Sequence, residues 1–142
     1  MKKLLKALVL LLWMILIFAL SNQSGTSSQS LSDGILMRIA LLINRVREID
    51  VRAFVLGTSY FVRKSAHIFE YAVLYILSYE CLRDYPLKRA RLICLVFCIF
   101  YAFFDEFHQL FIDGRSGELN DCLIDSLGTL LSFLFWHKIR KE

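Results

Sequence analysis

The sequence predicts an all-α protein: a polytopic membrane bundle of four transmembrane helices plus an amphipathic interfacial helix. Three observations predict it. Of the 142 residues, 57% are hydrophobic, more than a soluble domain of this size can hide in one core. One proline and six glycines leave the apolar runs almost unbroken. Basic residues flank those runs and form no stripe with polar residues between them. The formal charge of +4 is therefore a topology signal, and nucleic acid is excluded as a partner. The length suits a single domain over residues 1–142.

The first span is expected at about 4–20, an apolar run broken only by Lys6 after Lys2 and Lys3. It is long for a signal peptide, and Ala19-Leu20-Ser21-Asn22-Gln23 offers no small-residue cleavage site, so the segment reads as retained. A Ser/Gln/Gly-rich loop follows to Ser30. Residues 31–47 then read as the amphipathic helix. Leu31, Ile35, Ile39, Leu42 and Val46 recur at helical spacing, widened by Leu36 and Ile43, with Arg38, Asn44, Arg45 and Arg47 off the stripe. Such a helix lies either in the membrane interface or over the end of the bundle.

The second span is expected at 66–82 and ends at Arg83-Asp84-Tyr85-Pro86, because proline and the residue before it disfavour helix. The third covers 92–112, before the Asp113-Gly114 turn signal. The fourth covers 121–136. The four cysteines, Cys81, Cys94, Cys98 and Cys122, form no CxxC and have no histidines at zinc-finger spacing, so they read as packing residues.

Positive charge orients the chain. Lys2, Lys3 and Lys6, then Arg83, Lys88, Arg89 and Arg91, then Lys138, Arg140 and Lys141 fall on one side of a four-span protein. The expectation is a multi-pass protein of the cell membrane with both termini cytoplasmic. Arg52, Arg63 and Lys64 lie in a long outer loop or at its end, where the rule is weak.

That topology gathers polar residues at the outer ends of the spans. Charge within a span costs roughly 2.5 to 3.5 kcal/mol on insertion scales, so several such groups imply pairing or a wet cavity. Arg63, His67 and Glu70 share one helical face, as do Tyr101, Asp105 and His108, and again Asp121, Asp125, Gly128 and Ser132. The candidates for acid/base work are His67, Glu70, Asp105 and Glu106. His67 would act as general base, with Glu70 or Asp105 orienting it. The candidates for binding are Arg63, Gln109, Arg115, Asp121 and Gln23. Arg63 and Arg115 suit a phosphate, with Asp121 positioning Arg115. No diagnostic nucleophile is present. No cofactor is expected. The His67-x-x-Glu70 and Asp105-x-x-His108 pairs leave a divalent metal as a lesser alternative. A purely structural role would pair Arg63 with Glu70, Arg115 with Asp121, and His108 with Asp105.

The order and spacing of several pieces resemble the VanZ-like membrane proteins over nearly the whole chain. They are Ser21-Asn22-Gln23-Ser24, Arg63-Lys64-Ser65-Ala66-His67-Ile68-Phe69-Glu70-Tyr71, Asp105-Glu106-Phe107-His108-Gln109, and Gly114-Arg115 followed by Asp121 and Gly128. Two positions depart from the family pattern: Asp113 stands where proline is usual before Gly-Arg, and Asp125 stands where asparagine is usual. The resemblance implies one VanZ-like membrane domain in a bacterial cell envelope and an association with resistance to the glycopeptide teicoplanin. Two functions fit. One is binding of a membrane lipid or lipid-linked cell-wall precursor head group, with the antibiotic affected indirectly. The other is a membrane-embedded hydrolase or transferase acting on a lipid-linked substrate through His67 and the acidic cluster.

Overall fold

The computed structural model describes residues 2–139. It is all-helical: α1 (Lys2–Ser21), α2 (Gly25–Asn44), α3 (Val51–Leu82), α4 (Ala90–Gln109) and α5 (Leu119–Ile139). Of the basic C-terminal flank, Arg140 and Lys141 lie outside the described residues.

Helix α3 is the axis of the fold, and α1, α2, α4 and α5 all pack on it. At 32 residues it is about 48 Å long, well beyond the ~30 Å of a bilayer's hydrocarbon core. The expected 66–82 element is its second half. Its first half falls in the stretch read from sequence as an outer loop. Asp50 starts it by accepting the backbone N–H of Ala53 at 3.0 Å, and the mid-helix Gly57 does not interrupt it. Ser24 starts α2 in the same way, accepting from Ser27 at 3.3 Å, six residues ahead of the expected start.

Helix α2 folds back on the first half of α3. Leu36, Ala40 and Val55 are the buried contacts, flanked by Ile49, Val51 and Phe54, and the Ser59 hydroxyl bonds the Asp33 carboxylate. Most of the expected apolar stripe is turned away from protein: Ile35 and Leu42 on α2 are both 60% exposed, and Val46, which lies past the helix end at Asn44 although the expected helix ran to 47, is 91% exposed.

The main core joins α1, α3, α4 and α5 through Ile17, Tyr71, Leu74, Tyr75, Cys94, Cys98, Ala102 and Cys122. Small and polar side chains are buried beside them, including Ser78, Thr129 and Ser132. Gly128 allows the closest approach, since a Cβ there would collide with the Ile68 carbonyl of α3. Bulky residues face outward instead. Phe100, Phe103, Phe104 and Phe107 on α4 and Leu123, Leu130 and Phe135 on α5 are exposed. The cysteines are free, as expected, and Ser78 lies 3.8 Å from Cys98 Sγ.

Among the described residues, α1 is the one helix long and apolar enough to cross a membrane by its own composition. Helices α4 and α5 carry ionisable groups in their apolar sequence, Asp105 and Glu106 on one, Asp121 and Asp125 on the other, which lower their hydropathy.

Candidate functional site at the Ser21 end of the bundle

The end of α1 at Ser21, the middle of α3, the end of α4, the 110–118 loop and the start of α5 meet at one end of the bundle. Arg115 ties the loop to α1: its Nε donates to the Gln23 carbonyl at 3.1 Å, and a terminal nitrogen reaches the Leu20 carbonyl at 3.4 Å. The Gly25 N–H donates to the Asp113 carbonyl at 3.1 Å. This seam leaves no room for a side chain at Gly25, and Gly114 turns through it at φ +71°.

Two adjoining cavities open here. The first, about 420 Å³, is polar and is lined by Arg63, Lys64, His67, Gln109, Arg115 and Asp121, with Tyr60 and the start of α2 around them. The second, about 340 Å³, has an apolar wall of Ile17, Leu20, Leu31, Ile35, Val62 and Ala66, with Gln23, Glu70 and Asp105 as polar groups. Arg63, His67 and Arg115 line both.

Eight of the nine sequence candidates therefore line one or both cavities, and the ninth, Glu106, lines neither and is buried beside Asp105. Arg63, His67 and Glu70 share the face that helical spacing assigns them and line the second cavity together. Arg63 makes no ion pair among the described residues. Asp105 and Glu106 are adjacent in sequence, yet both are buried, at 2% and 6% exposure, because α4 is enclosed there on two sides. Gln109 is buried between them and α1. Its Nε2 donates to Ser21 Oγ at 2.8 Å and to Asp105 Oδ2 at 3.1 Å. The Trp13 indole anchors α1 on α3 by donating to the Glu70 carbonyl at 3.0 Å.

Three pairings differ from those that a purely structural role would make. Asp121 bonds Lys64, not Arg115. The Lys64 side chain from α3 reaches the first turn of α5, whereas Arg115 is drawn toward the carbonyls that end α1. His108 lies apart from Asp105. Its ring stacks on Phe18 at 4.7 Å between centroids, and Nε2 sits 3.2 Å from Asn22 Oδ1. Glu70 does not bond Arg63; both instead border the second cavity.

Asp125 is the residue that the sequence candidates omit. It is 1% exposed, and its Oδ1 is 3.3 Å from His67 Nδ1. The 121/125/128/132 spacing places it on the face of α5 turned to α3. Lys64 is a second omission, read only as part of a basic flank. Its spacing to His67 and the acidic start of α5 are the only signal for it.

The arrangement defines a class: an all-α bundle with a cationic, partly apolar cleft at one end and carboxylates buried beneath it. The chain belongs to the VanZ/LLP1 family, whose model matches residues 6–140. No curated protein and no solved structure matches it.

Proposed function

We propose that this VanZ-like chain is a multi-pass cell-membrane protein that binds the head group of a membrane lipid or lipid-linked cell-wall precursor. Helices α1, α4 and α5 and the second half of α3 cross the bilayer, both termini are cytoplasmic, and the Ser21 end faces outward. The inverted packing supports the spans: serine, threonine, cysteine and glycine inside, phenylalanine and leucine outside. Hydrocarbon is the solvent in which that pattern is stable, since an exposed apolar surface of this extent is not tolerated in water. The outward stripe of α2 fits the interface, beside the same end.

One observation carries the binding assignment. Arg63, His67 and Arg115 separate a polar cavity from one with an apolar wall. A phosphate-bearing head group suits Arg63, which makes no ion pair among the described residues, with the remaining donors of Arg115 and Lys64 beside it, and the start of its chain lies along Leu31, Ile35 and Val62. Occupying this site on a cell-wall precursor or its carrier is how the protein would contribute to teicoplanin resistance, without contacting the antibiotic.

The test is saturable binding of a defined anionic lipid to the protein in nanodiscs. R63A and R115A together are expected to weaken it by tenfold or more, as charge-assisted hydrogen bonds of about 1.5–3 kcal/mol each are lost. Binding unchanged by both substitutions would sink the assignment.

The His67–Asp125 contact favours the enzymatic alternative. A buried carboxylate beside Nδ1 orients an imidazole that borders both cavities, as a general base requires. Turnover of a lipid-linked substrate that is lost in H67A, with lipid binding retained, would establish a hydrolase or transferase.

A further inference from the structure

Beneath the cavities, three carboxylates from two helices converge. Asp105 and Glu106 come from α4 and Asp125 from α5, and one oxygen of each lies within 4.8 Å of the others. All three are more than nine-tenths buried. Both oxygens of Glu106, Oδ1 of Asp105 and Oδ2 of Asp125 accept no hydrogen bond among the described residues. The cationic groups of this end are committed elsewhere or stand outside the cluster. Lys64 bonds Asp121, Arg115 holds the carbonyls that end α1, and His67 touches only the Asp125 member.

A second observation points into the same spot. Tyr71 is fully buried on α3, one turn beyond the His67 that touches Asp125, its ring lies 6.4 Å from that of Tyr101, one turn before Asp105, and its hydroxyl has no hydrogen-bond partner among the described residues. Thr129, one turn beyond Asp125 and also fully buried, has an equally unpartnered hydroxyl. Buried polar oxygens left unsatisfied cost about 1–3 kcal/mol each, and more for charged groups. The three carboxylates, converging with most of their oxygens unpartnered, call for a common partner.

We infer that Asp105, Glu106 and Asp125, with the Tyr71 hydroxyl beside them, form a binding site for a hard divalent cation. The donor set is oxygen only, which selects Mg²⁺, Mn²⁺ or Ca²⁺ over zinc or copper. The spacing agrees: oxygens on opposite sides of one Ca²⁺ are roughly 4.6–5.2 Å apart, and neighbouring ones are closer. The carboxylates come from two adjacent helices and the hydroxyl from a third, so the cation ties α3, α4 and α5 together just below the cleft. Asp105 also borders the second cavity, which places the cation within reach of whatever occupies it. The inference does not depend on the head-group assignment, because it is tested without lipid.

The experiment uses the full chain, purified in detergent without a His tag and stripped with EDTA, titrated with Mn²⁺ and followed by the loss of the free-ion EPR signal. One Mn²⁺ per chain is expected, displaced by Ca²⁺ or Mg²⁺, together with a rise in thermal midpoint. E106Q and D125N are expected to weaken binding about tenfold or more by removing ligand charge. D84N, which changes a partly exposed carboxylate paired with Lys6 at the other end, keeps the wild-type affinity. If either charge-removing variant does not fold, Y71F and the wild-type stoichiometry decide. The site is overturned if wild-type protein binds no Mn²⁺ at millimolar concentration, meaning the carboxylates carry their own protons. It is equally overturned if folded E106Q and D125N bind as wild type does, meaning the ion sits elsewhere.

Discussion

The two ends of the bundle handle charge in opposite ways. At the Lys6 end, charged groups meet at or near the surface: Lys6 with Asp84 at 2.6 Å and Lys3 over the Tyr85 ring at 4.5 Å, while the part-buried Arg91 reaches the Phe133 carbonyl and ring. The core just inside that end is Leu74, Tyr75, Cys94 and Cys98, without a buried carboxylate. At the Ser21 end, the carboxylates are inside and several cations stand around open volume. Surface pairs fasten a helix end cheaply, whereas buried unpaired carboxylates oppose folding and persist where they have another use. On the proposed function, the difference separates an end that anchors the chain from an end that binds.

The comparison can be broken or sharpened by substitution, beginning where the largest effect is expected. Gly128→Leu drives a side chain into the α3 backbone at Ile68, so the α3–α5 contact that places His67 beside Asp125 is lost. Overpacking of this kind costs typically about 1–3 kcal/mol and more when backbone must move. Loss of the folded, monodisperse species in detergent is the expected readout; a normal melting profile would show that α5 does not rest on α3 there.

Gln109→Ala comes next. It removes the donor shared by Ser21 and Asp105 in a buried position, at a cost of about 1–3 kcal/mol. The thermal midpoint should fall, and the lipid or cation affinity of the Ser21 end should fall with it. A stability loss without any functional change would mean that the Ser21 end is held together for packing alone.

Lys64→Met breaks the half-buried pair with Asp121. The stability change is small, within about 1 kcal/mol. Lipid binding should drop further than stability does, because Lys64 lines the polar cavity. Equal losses would assign the pair to structure.

Asp84→Asn should be nearly silent and therefore sets the baseline. The Lys6 ammonium holds the Asp84 carboxyl below the usual carboxylate range. A depressed folded-state pKa contributes stability that is present above the unfolded value and lost as pH falls through the folded one. The small difference between wild type and D84N is thus expected at neutral pH and should vanish in acid, and salt should erase it too. A large effect at neutral pH would place real stability at the Lys6 end and weaken the contrast.

Much of the Ser21 end is legible in the sequence. His67, Glu70 and Arg63 are readable because helical periodicity sets which side chains share a face. Asp105, Glu106 and Gln109 are readable because ionisable and polar residues in apolar sequence are costly without a purpose. Partner choice is not readable. Whether Asp121 meets Lys64 or Arg115 depends on how far α5 slides along α3, and that is set by a backbone contact at Gly128. The helix over 51–65 escapes a sequence reading for another reason. A segment with mixed apolar and basic residues has no clear period until α2 supplies the surface that Val55 packs against.

Local rules acting along one chain are enough for the helical class, the apolar runs and most of the polar end, and the family is legible as a resemblance of ordered motifs. Composition and 3.6-residue periodicity are properties of each segment alone. The convergence of Asp105, Glu106 and Asp125 on one point, the His67–Asp125 contact and the division of the cleft into polar and apolar halves arise only on packing. They depend on the rotation and offset of one helix against another, which small residues such as Gly25, Gly114 and Gly128 control by letting backbones touch.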